Sequence, residues 1–311
     1  MTYGEHRVLV VGAAGLDLKV RPRDKAVISG RSNPGVIRWG WGGVARNIAE
    51  NLARLGAEVH MITAVGDDWW GQALLRQLQE LNINTDACVI SSEHPTASYV
   101  ALYQLDQRLQ VAYDDMRVIE AITPGHLNRL RRLVRDADIV CIDANLSPAS
   151  LKTLFRLTAQ YHIPVCADPT AALLAHRLQP HLAGITTLTP DRAEAEALLD
   201  EALGDDEAIS RGAWRLVQAG VDLAIITLGA EGIYYATSEE SGRIPAFPVE
   251  VVDPTGVGDA LTAAVAYGLL EDVSPEEAVR LGMAAATQTL TCRETVCPHI
   301  SAELLYDRLV P

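Results

Sequence analysis

The stretch Asp253-Pro254-Thr255-Gly256-Val257-Gly258-Asp259-Ala260 runs into the apolar segment 261–270, a pattern of glycines opening a buried helix. Glycine adopts backbone angles closed to other residues and lets a ligand approach closely. The N–H groups of residues 256–259 can therefore converge on one anion at a helix start, where the helix dipole also favours negative charge. Asp259 falls in the first turn, beside that anion hole. A weakly basic carboxylate suffices for phosphoryl transfer: in a loose transition state the attacking hydroxyl becomes acidic late, so the carboxylate orients it and then accepts its proton. The plainer alternative is a tight glycine turn with Asp259 as a helix cap, and the local pattern does not choose.

Four further groups have types and spacings suited to the same chemistry. Asp17, just past Gly12-Ala13-Ala14-Gly15, is placed to accept hydrogen bonds from vicinal sugar hydroxyls, or to serve as an ordinary turn residue. Gly42-Gly43 precedes a helical pattern at 44–55 and supplies a joint that closes on substrate, with Asn47 one turn inside; a simple loop-to-helix junction with Asn47 on the surface is the alternative. Asp191 and Glu194, three apart in a helix's first turn, can hold magnesium through its water shell, or only complement the dipole. Thr227 and Gly229, after a strand, offer a phosphate a hydroxyl, or form a turn. The two usual nucleotide fingerprints are missing: GxxxxGK[ST] never occurs, and Leu261 stands where Gly256-Val257-Gly258 would need its third glycine.

The elements that must position these residues alternate along the chain. Short runs rich in Val, Ile and Thr at 8–11, 59–65, 139–142, 163–167, 185–188 and 223–228 read as buried parallel strands. Between them, 44–55, 70–81, 124–135, 148–160, 192–199 and 208–218 carry apolar residues three and four apart and read as crossover helices. The expectation is an α/β, doubly wound, mostly parallel sheet with helices on both faces and ligands at the carboxyl ends of its strands. Two segments break the alternation, 16–41 and 97–118, and read as β insertions forming a small lid on one domain spanning 1–311. The lid leaves both a homodimer through its surface and a monomer open.

Composition narrows the class. With 26 Lys+Arg against 40 Asp+Glu, the 311-residue chain carries a formal charge of −14, and no basic cluster meets a nucleic-acid backbone. No apolar run reaches the ~18 residues of a membrane helix. The N-terminus moves from Met1 to the strand at 8–11 without the features of a secretory leader, so a cytoplasmic protein is expected. The five cysteines, odd in number and three of them in β-type runs, read as reduced thiols; Cys292 and Cys297 make neither a CxxC nor a zinc set.

Taken together, these residues resemble the ribokinase-like (PfkB-type) carbohydrate and nucleoside kinases over essentially the whole chain. The family's glycine pair is similar to Gly42-Gly43 with Asn47, its magnesium-site NxxE to Asp191–Glu194, and its late DTxGxGD to Asp253–Asp259. The resemblance implies Asp259 as catalytic base, with Gly256, Val257 and Gly258 forming the anion hole. It implies a sugar site of Asp17, Gly42, Gly43 and Asn47. An ATP site would involve Asp191, Thr227, Gly229, Thr255, Gly256 and Gly258, with magnesium at Glu194 and Asp191; activation by a monovalent cation such as K+ is left open. Within the family, Ser32-Asn33-Pro34-Gly35, the run 42–53, Asp143-Ala144-Asn145-Leu146 and Glu294-Thr295-Val296 are similar to the subfamily acting on pseudouridine.

Three departures carry consequences. Gly15 stands where many members have Asn. Asp191 replaces the Asn of NxxE, which predicts stronger magnesium dependence, and Pro254 removes one N–H from the late signature. The competing readings are a kinase for another nucleoside or sugar such as ribose or adenosine, a non-catalytic binding relative, and, more distantly, a nicotinamide oxidoreductase resting on residues 12–15 alone.

Overall fold

The computed structural model describes residues 6–23, 28, 30–106 and 108–309. Parts of the N-terminal reading and of both insertions, at 1–5, 24–27, 29 and 107, lie outside the described residues.

In chain order the strands are β1 (Arg7–Val11), β2 (Gly15–Pro22), β3 (Gly35–Gly42), β4 (Glu58–Ile62), β5 (Ala64–Gly66), β6 (Val89–Ser91), β7 (Ala97–Tyr103), β8 (Leu109–Asp115), β9 (Ile139–Asp143), β10 (Val165–Asp168), β11 (Thr187–Leu188), β12 (Leu223–Thr227), β13 (Ile233–Ala236) and β14 (Ser241–Ile244). The helices are α1 (Val44–Leu55), α2 (Trp69–Glu80), α3 (Pro124–Arg129), α4 (Arg131–Arg135), α5 (Pro148–Tyr161), α6 (Ala172–Ala175), α7 (Arg192–Leu199), α8 (Asp206–Gln218), α9 (Val257–Leu270), α10 (Pro275–Leu290) and α11 (Ala302–Asp307).

Eight strands form the main sheet in the order β14-β13-β12-β11-β10-β9-β1-β4. The six from β12 to β4 are parallel, and β13 and β14 add an antiparallel edge. Alternation along β1 explains the layers. Val8 and Val10 pack with α1, α2 and α9 on one face, whereas Leu9 and Val11 point into the cluster built by α3, α4 and α5 on the other. Because β4 lies to one side of β1 and β9 to the other, the chain changes direction between β1 and β9, the place where open α/β sheets leave a crevice at their carboxyl ends. Helix α9 is apolar nearly all round because α1 and α10 flank it over the sheet.

Residues from the two insertions pair into a second sheet, β3-β2-β7-β8, in which β2 and β7 run parallel. Gly15 is required at that seam: a Cβ there would collide with the backbone carbonyl of Ala97.

The structure corrects several element boundaries. The run 59–65 is not one strand. After Ile62 the chain leaves the main sheet, Thr63 accepts a bond from the Val89 N–H (2.8 Å), and β5 pairs with β6. The helix expected at 124–135 breaks at Leu130 (φ −91°, ψ 12°), where one N–H is shared between the His126 and Leu127 carbonyls. The β13–β14 hairpin and α10 were not expected. The cysteine reading holds for Cys88, Cys141 and Cys166, whereas Cys292 and Cys297 are joined in a disulfide because the turn after α10 brings their Cα atoms to 5.5 Å.

Candidate active site

The carboxyl ends of β9 and β10 supply the floor of the crevice. Asp143 closes β9, fully buried, and accepts bonds from the N–H groups of Ala13 (2.8 Å), Ala45 (3.0 Å) and Asn145 (2.9 Å). It thereby ties the turn after β1 to the start of α1. Gly12 leaves the space this requires, since a Cβ would collide with the Asp143 carboxylate. Burial raises Asp143 above the usual carboxylate range, against the pull of those N–H donors. Asp168 closes β10 and accepts from Thr170 N (2.7 Å) and from the Thr262 hydroxyl on α9 (3.2 Å). Burial, with the Asp143 charge nearby, lifts it to about 7. Sequence reasoning gave neither aspartate a role, although an acidic residue ending each fully apolar strand was the available signal.

Asp259 sits in the first turn of α9, 8 % exposed. The helix begins from Gly256 at φ 80°, a conformation that favours glycine, and a Cβ there would strike the Thr295 carbonyl. By contrast, a Cβ on Gly258 meets nothing within 4 Å, so the helix start is open above that residue. Asn47, on α1, is 3 % exposed rather than on the surface, and donates from Nδ2 to Asp259 Oδ2 at 2.6 Å. Burial pushes the Asp259 carboxyl well above the usual range, the Asp168 charge pushes further, and the Asn47 bond opposes both.

Asp17 extends from β2, and Gly42, two residues along β3 from its register partner Gly40, must lack a side chain because a Cβ would collide with the Asp17 carboxylate. Burial raises Asp17 to about 6, with Lys19 and Arg46 pulling it down. Gly43, at φ 94°, is the N-cap of α1 and lies against the backbone of residues 13 and 14. Asp17 opens onto a cavity of about 890 Å3 whose walls include Trp39, Trp41, Arg46, Asp253 and Thr295. Trp39 and Trp41 stack edge-on with each other and with Trp70 of α2.

The small sheet is also tied to the loop before α9. Lys19 donates to both oxygens of Asp253 (2.9 and 2.8 Å) and to Thr255 Oγ1 (2.6 Å). Burial pushes Asp253 up, but the bonds from Lys19 and Thr255 outweigh it and hold the carboxyl below its ordinary value. Thr255 N also donates to Asp253 Oδ1 (3.0 Å), so this turn closes on itself around Pro254.

Asp191 and Glu194 form a capping box at the start of α7: Asp191 Oδ1 accepts from Glu194 N (2.8 Å) and Glu194 Oε2 from Asp191 N (2.7 Å). Asp191 bridges to Thr227 at the end of β12, and Gly229 follows at φ 61° with open space around it. Burial, reinforced by Asp168, raises Glu194 to about 8. One oxygen of each carboxylate stays outside the capping box. Among the described residues no three His, Cys, Asp or Glu side chains gather as a metal-binding group; the two uncapped carboxylate oxygens fit a hydrated cation beside them.

The structure therefore brings Asp17, Gly42, Gly43 and Asn47 to one side of the Asp259 helix start, and aligns Asp191 with Thr227 on neighbouring elements of the same sheet edge. A doubly wound sheet with an anion-ready glycine turn and a buried carboxylate beside it defines a phosphotransferase type of site.

Comparison with known proteins agrees. The pfkB family carbohydrate kinase model matches residues 6–300, and the chain belongs to that family; it is an ATP-dependent sugar or nucleoside kinase. It is 32% identical over 295 residues to the pseudouridine kinase of Escherichia coli strain K12, covering 94% of this chain and 93% of that one. It is also 32% identical over 289 residues to the ribokinase of Bacillus subtilis strain 168, covering 90% and 91%. The fold matches that of Arabidopsis thaliana ribokinase complexed with ribose and ATP over 100% of both chains, with a TM-score of 0.86 at 22% identity. Among the described residues no helix is long and apolar enough to cross a membrane.

Proposed function

We propose that this kinase phosphorylates a nucleoside, with pseudouridine the favoured substrate and pseudouridine 5'-phosphate the product. The observation that carries the nucleoside reading is the cavity beside Asp17: about 890 Å3, walled by two tryptophans, far more room than a pentose needs. The whole-length likeness to a pseudouridine kinase supports the finer choice.

In this reading Asp17 holds the ribosyl hydroxyls against Gly42 and Gly43. The 5'-hydroxyl oxygen attacks the γ-phosphorus of ATP as the bond to the β,γ-bridging oxygen breaks and ADP leaves. Asp259 accepts the hydroxyl proton, with Asn47 holding its Oδ2. The N–H groups of Gly256, Val257, Gly258 and Asp259 meet the charge on the transferring group, at a helix start left open at Gly258. Thr227, Gly229 and Thr255 line the phosphate side. Magnesium, when bound, would offset the phosphate charge, and Glu194 and Asp191 would hold its water shell. The second sheet serves as a lid over the sugar, and its exposed residues Ile37, Trp39 and Tyr113 suit a homodimer through that surface.

The test is ATP consumption with magnesium against pseudouridine, uridine, cytidine, adenosine, ribose and fructose 6-phosphate, with and without K+. Preference for pseudouridine is expected. Preference for ribose over every nucleoside would overturn the nucleoside reading while leaving the kinase intact.

A further inference from the structure

Arg46 is a buried arginine one residue before Asn47, 4 % exposed, and no role in the reaction above uses it. Its guanidinium is held from two sides. Nη2 pairs with Glu50, one turn along α1, and donates to Gln77 Oε1 on α2 (3.3 Å). Arg54 fixes Glu50 in turn, donating to its other oxygen from Nε (2.9 Å) and Nη2 (2.6 Å), and anchors itself on the Pro298 carbonyl (2.9 Å). With Nη2 so occupied, Nη1 is aimed at Asn47 Oδ1 (2.9 Å), and reaches the Trp41 carbonyl at the end of β3 (3.4 Å).

The chemistry of these partners permits one arrangement only. A guanidinium donates and never accepts; an ionised carboxylate accepts and never donates; a carboxamide has one end of each kind. Asn47, lying between Arg46 and Asp259, must therefore turn its oxygen to Arg46 and its NH2 to Asp259. Among the described residues Arg46 is the donor that meets Asn47 Oδ1; without it nothing selects that orientation, and an amide rotated by half a turn would set an oxygen lone pair against the carboxylate.

We propose that Arg46 is a positioning residue for the phosphoryl-transfer reaction: braced by Glu50 and Gln77, it locks the Asn47 carboxamide so that its NH2 holds Asp259 Oδ2 and leaves Oδ1 facing the substrate hydroxyl. This rests on Asp259 being the base. Binding of ATP lies outside the relay, so loss of Arg46 lowers kcat and leaves the KM for ATP unchanged. Because Arg46 acts through Asn47, its loss has no effect once Asn47 is gone.

The experiment is a double-mutant cycle on the full chain, with kcat and the ATP KM measured on the best nucleoside of the panel. Arg46 and Glu50 are replaced together, Arg46→Met with Glu50→Met, so that neither member of the buried pair is left without the other, while Arg54, partly exposed, keeps its bond to the Pro298 carbonyl; Asn47→Ala is made alone and in combination. The pair variant and Asn47→Ala are each expected to lose ten-fold or more in kcat with the ATP KM within two-fold of the parent. The combined variant is expected to match Asn47→Ala within two-fold. If the pair variant does not fold, Arg46→Met alone, with Glu50 still held by Arg54, takes its place in the same cycle, with the same expected result. Losses that multiply in the combined variant, a kcat unchanged by either Arg46 substitution, or an ATP KM that rises with the fall in kcat would overturn the relay. Asp259→Asn separates the two readings: normal turnover by that variant removes the base itself, whereas a dead Asp259→Asn with multiplicative losses at 46 and 47 removes the relay alone.

Discussion

Asp17→Asn is expected to stabilise the protein while weakening its hold on the substrate. The carboxyl is raised from an ordinary 3.8 to about 6, chiefly by burial, so the folded chain binds that proton more tightly than the unfolded chain does. For an acid raised in this way, folding is favoured by protonation. The stability it supports is present below about pH 4, falls as pH climbs from about 4 to about 6, and stays low above that. At ~1.4 kcal/mol for each tenfold change in proton affinity, the penalty at pH 8 reaches ~3 kcal/mol. Asparagine keeps the shape and removes the charge, so the variant should be more stable than the parent by up to ~3 kcal/mol at pH 8, and the gap should close toward pH 4. Urea midpoints measured on both proteins across that range read the difference directly. The same substitution removes a charged acceptor for the sugar hydroxyls, a loss of ~1.5–3 kcal/mol, so the KM for the nucleoside should rise ~10- to 100-fold. A stability difference that does not vary between pH 4 and 8, or a variant less stable than the parent at pH 8, would refute the burial argument. An unchanged KM would refute the sugar-site role.

Four further outcomes are expected. Asp259→Asn should lower kcat by ~10²–10⁴-fold while isothermal titration still detects ATP binding; near-parental turnover would exclude Asp259 as the base. Gly256→Ala must place a Cβ at φ 80° against the Thr295 carbonyl, so it should cost ~1–2 kcal/mol in backbone strain alone and depress kcat through the displaced anion hole; a variant with parental melting temperature and turnover would show that the loop tolerates the collision. Asp191→Ala loses the N-cap of α7 and should cost ~0.5–2 kcal/mol, whereas Glu194→Gln should leave thermal stability at neutral pH unreduced but raise the magnesium concentration needed for half-maximal rate. A Glu194→Gln enzyme with the parent's magnesium curve would remove Glu194 from the cation site.

The parallel strands were legible because a strand buried on both faces leaves an unbroken apolar run, as at 8–11 and 139–142. The glycine turn before α9 was legible for a related reason: a backbone angle of 80° against a neighbouring carbonyl restricts the position to one residue type, and that restriction appears in the sequence as Gly256. Asp143 entered only as part of a subfamily likeness and Asp168 not at all, because an acidic residue ending an apolar strand marks a place but does not say whether that strand ends in the crevice or in solvent. Position 130 shows the same limit for helices, since an apolar period continues through a break that hydrogen-bond sharing creates.

The local alphabet of this chain, in strand runs, helix faces, capping residues and obligatory glycines, was determined by the sequence alone because each rests on forces acting within a few residues. Only the tertiary structure decided which groups meet. Asn47 and Asp259 are 212 residues apart, yet they share a 2.6 Å hydrogen bond because α1 and α9 pack side by side on one face of the sheet. The same packing sets Arg46 behind Asn47, joins Lys19 of the second sheet to Asp253, and brings Asp168 close enough to raise the affinity of both Glu194 and Asp259 for a proton. Burial and Coulomb coupling depend on distance in space, and distance in space is settled by packing that no single stretch of the chain encodes.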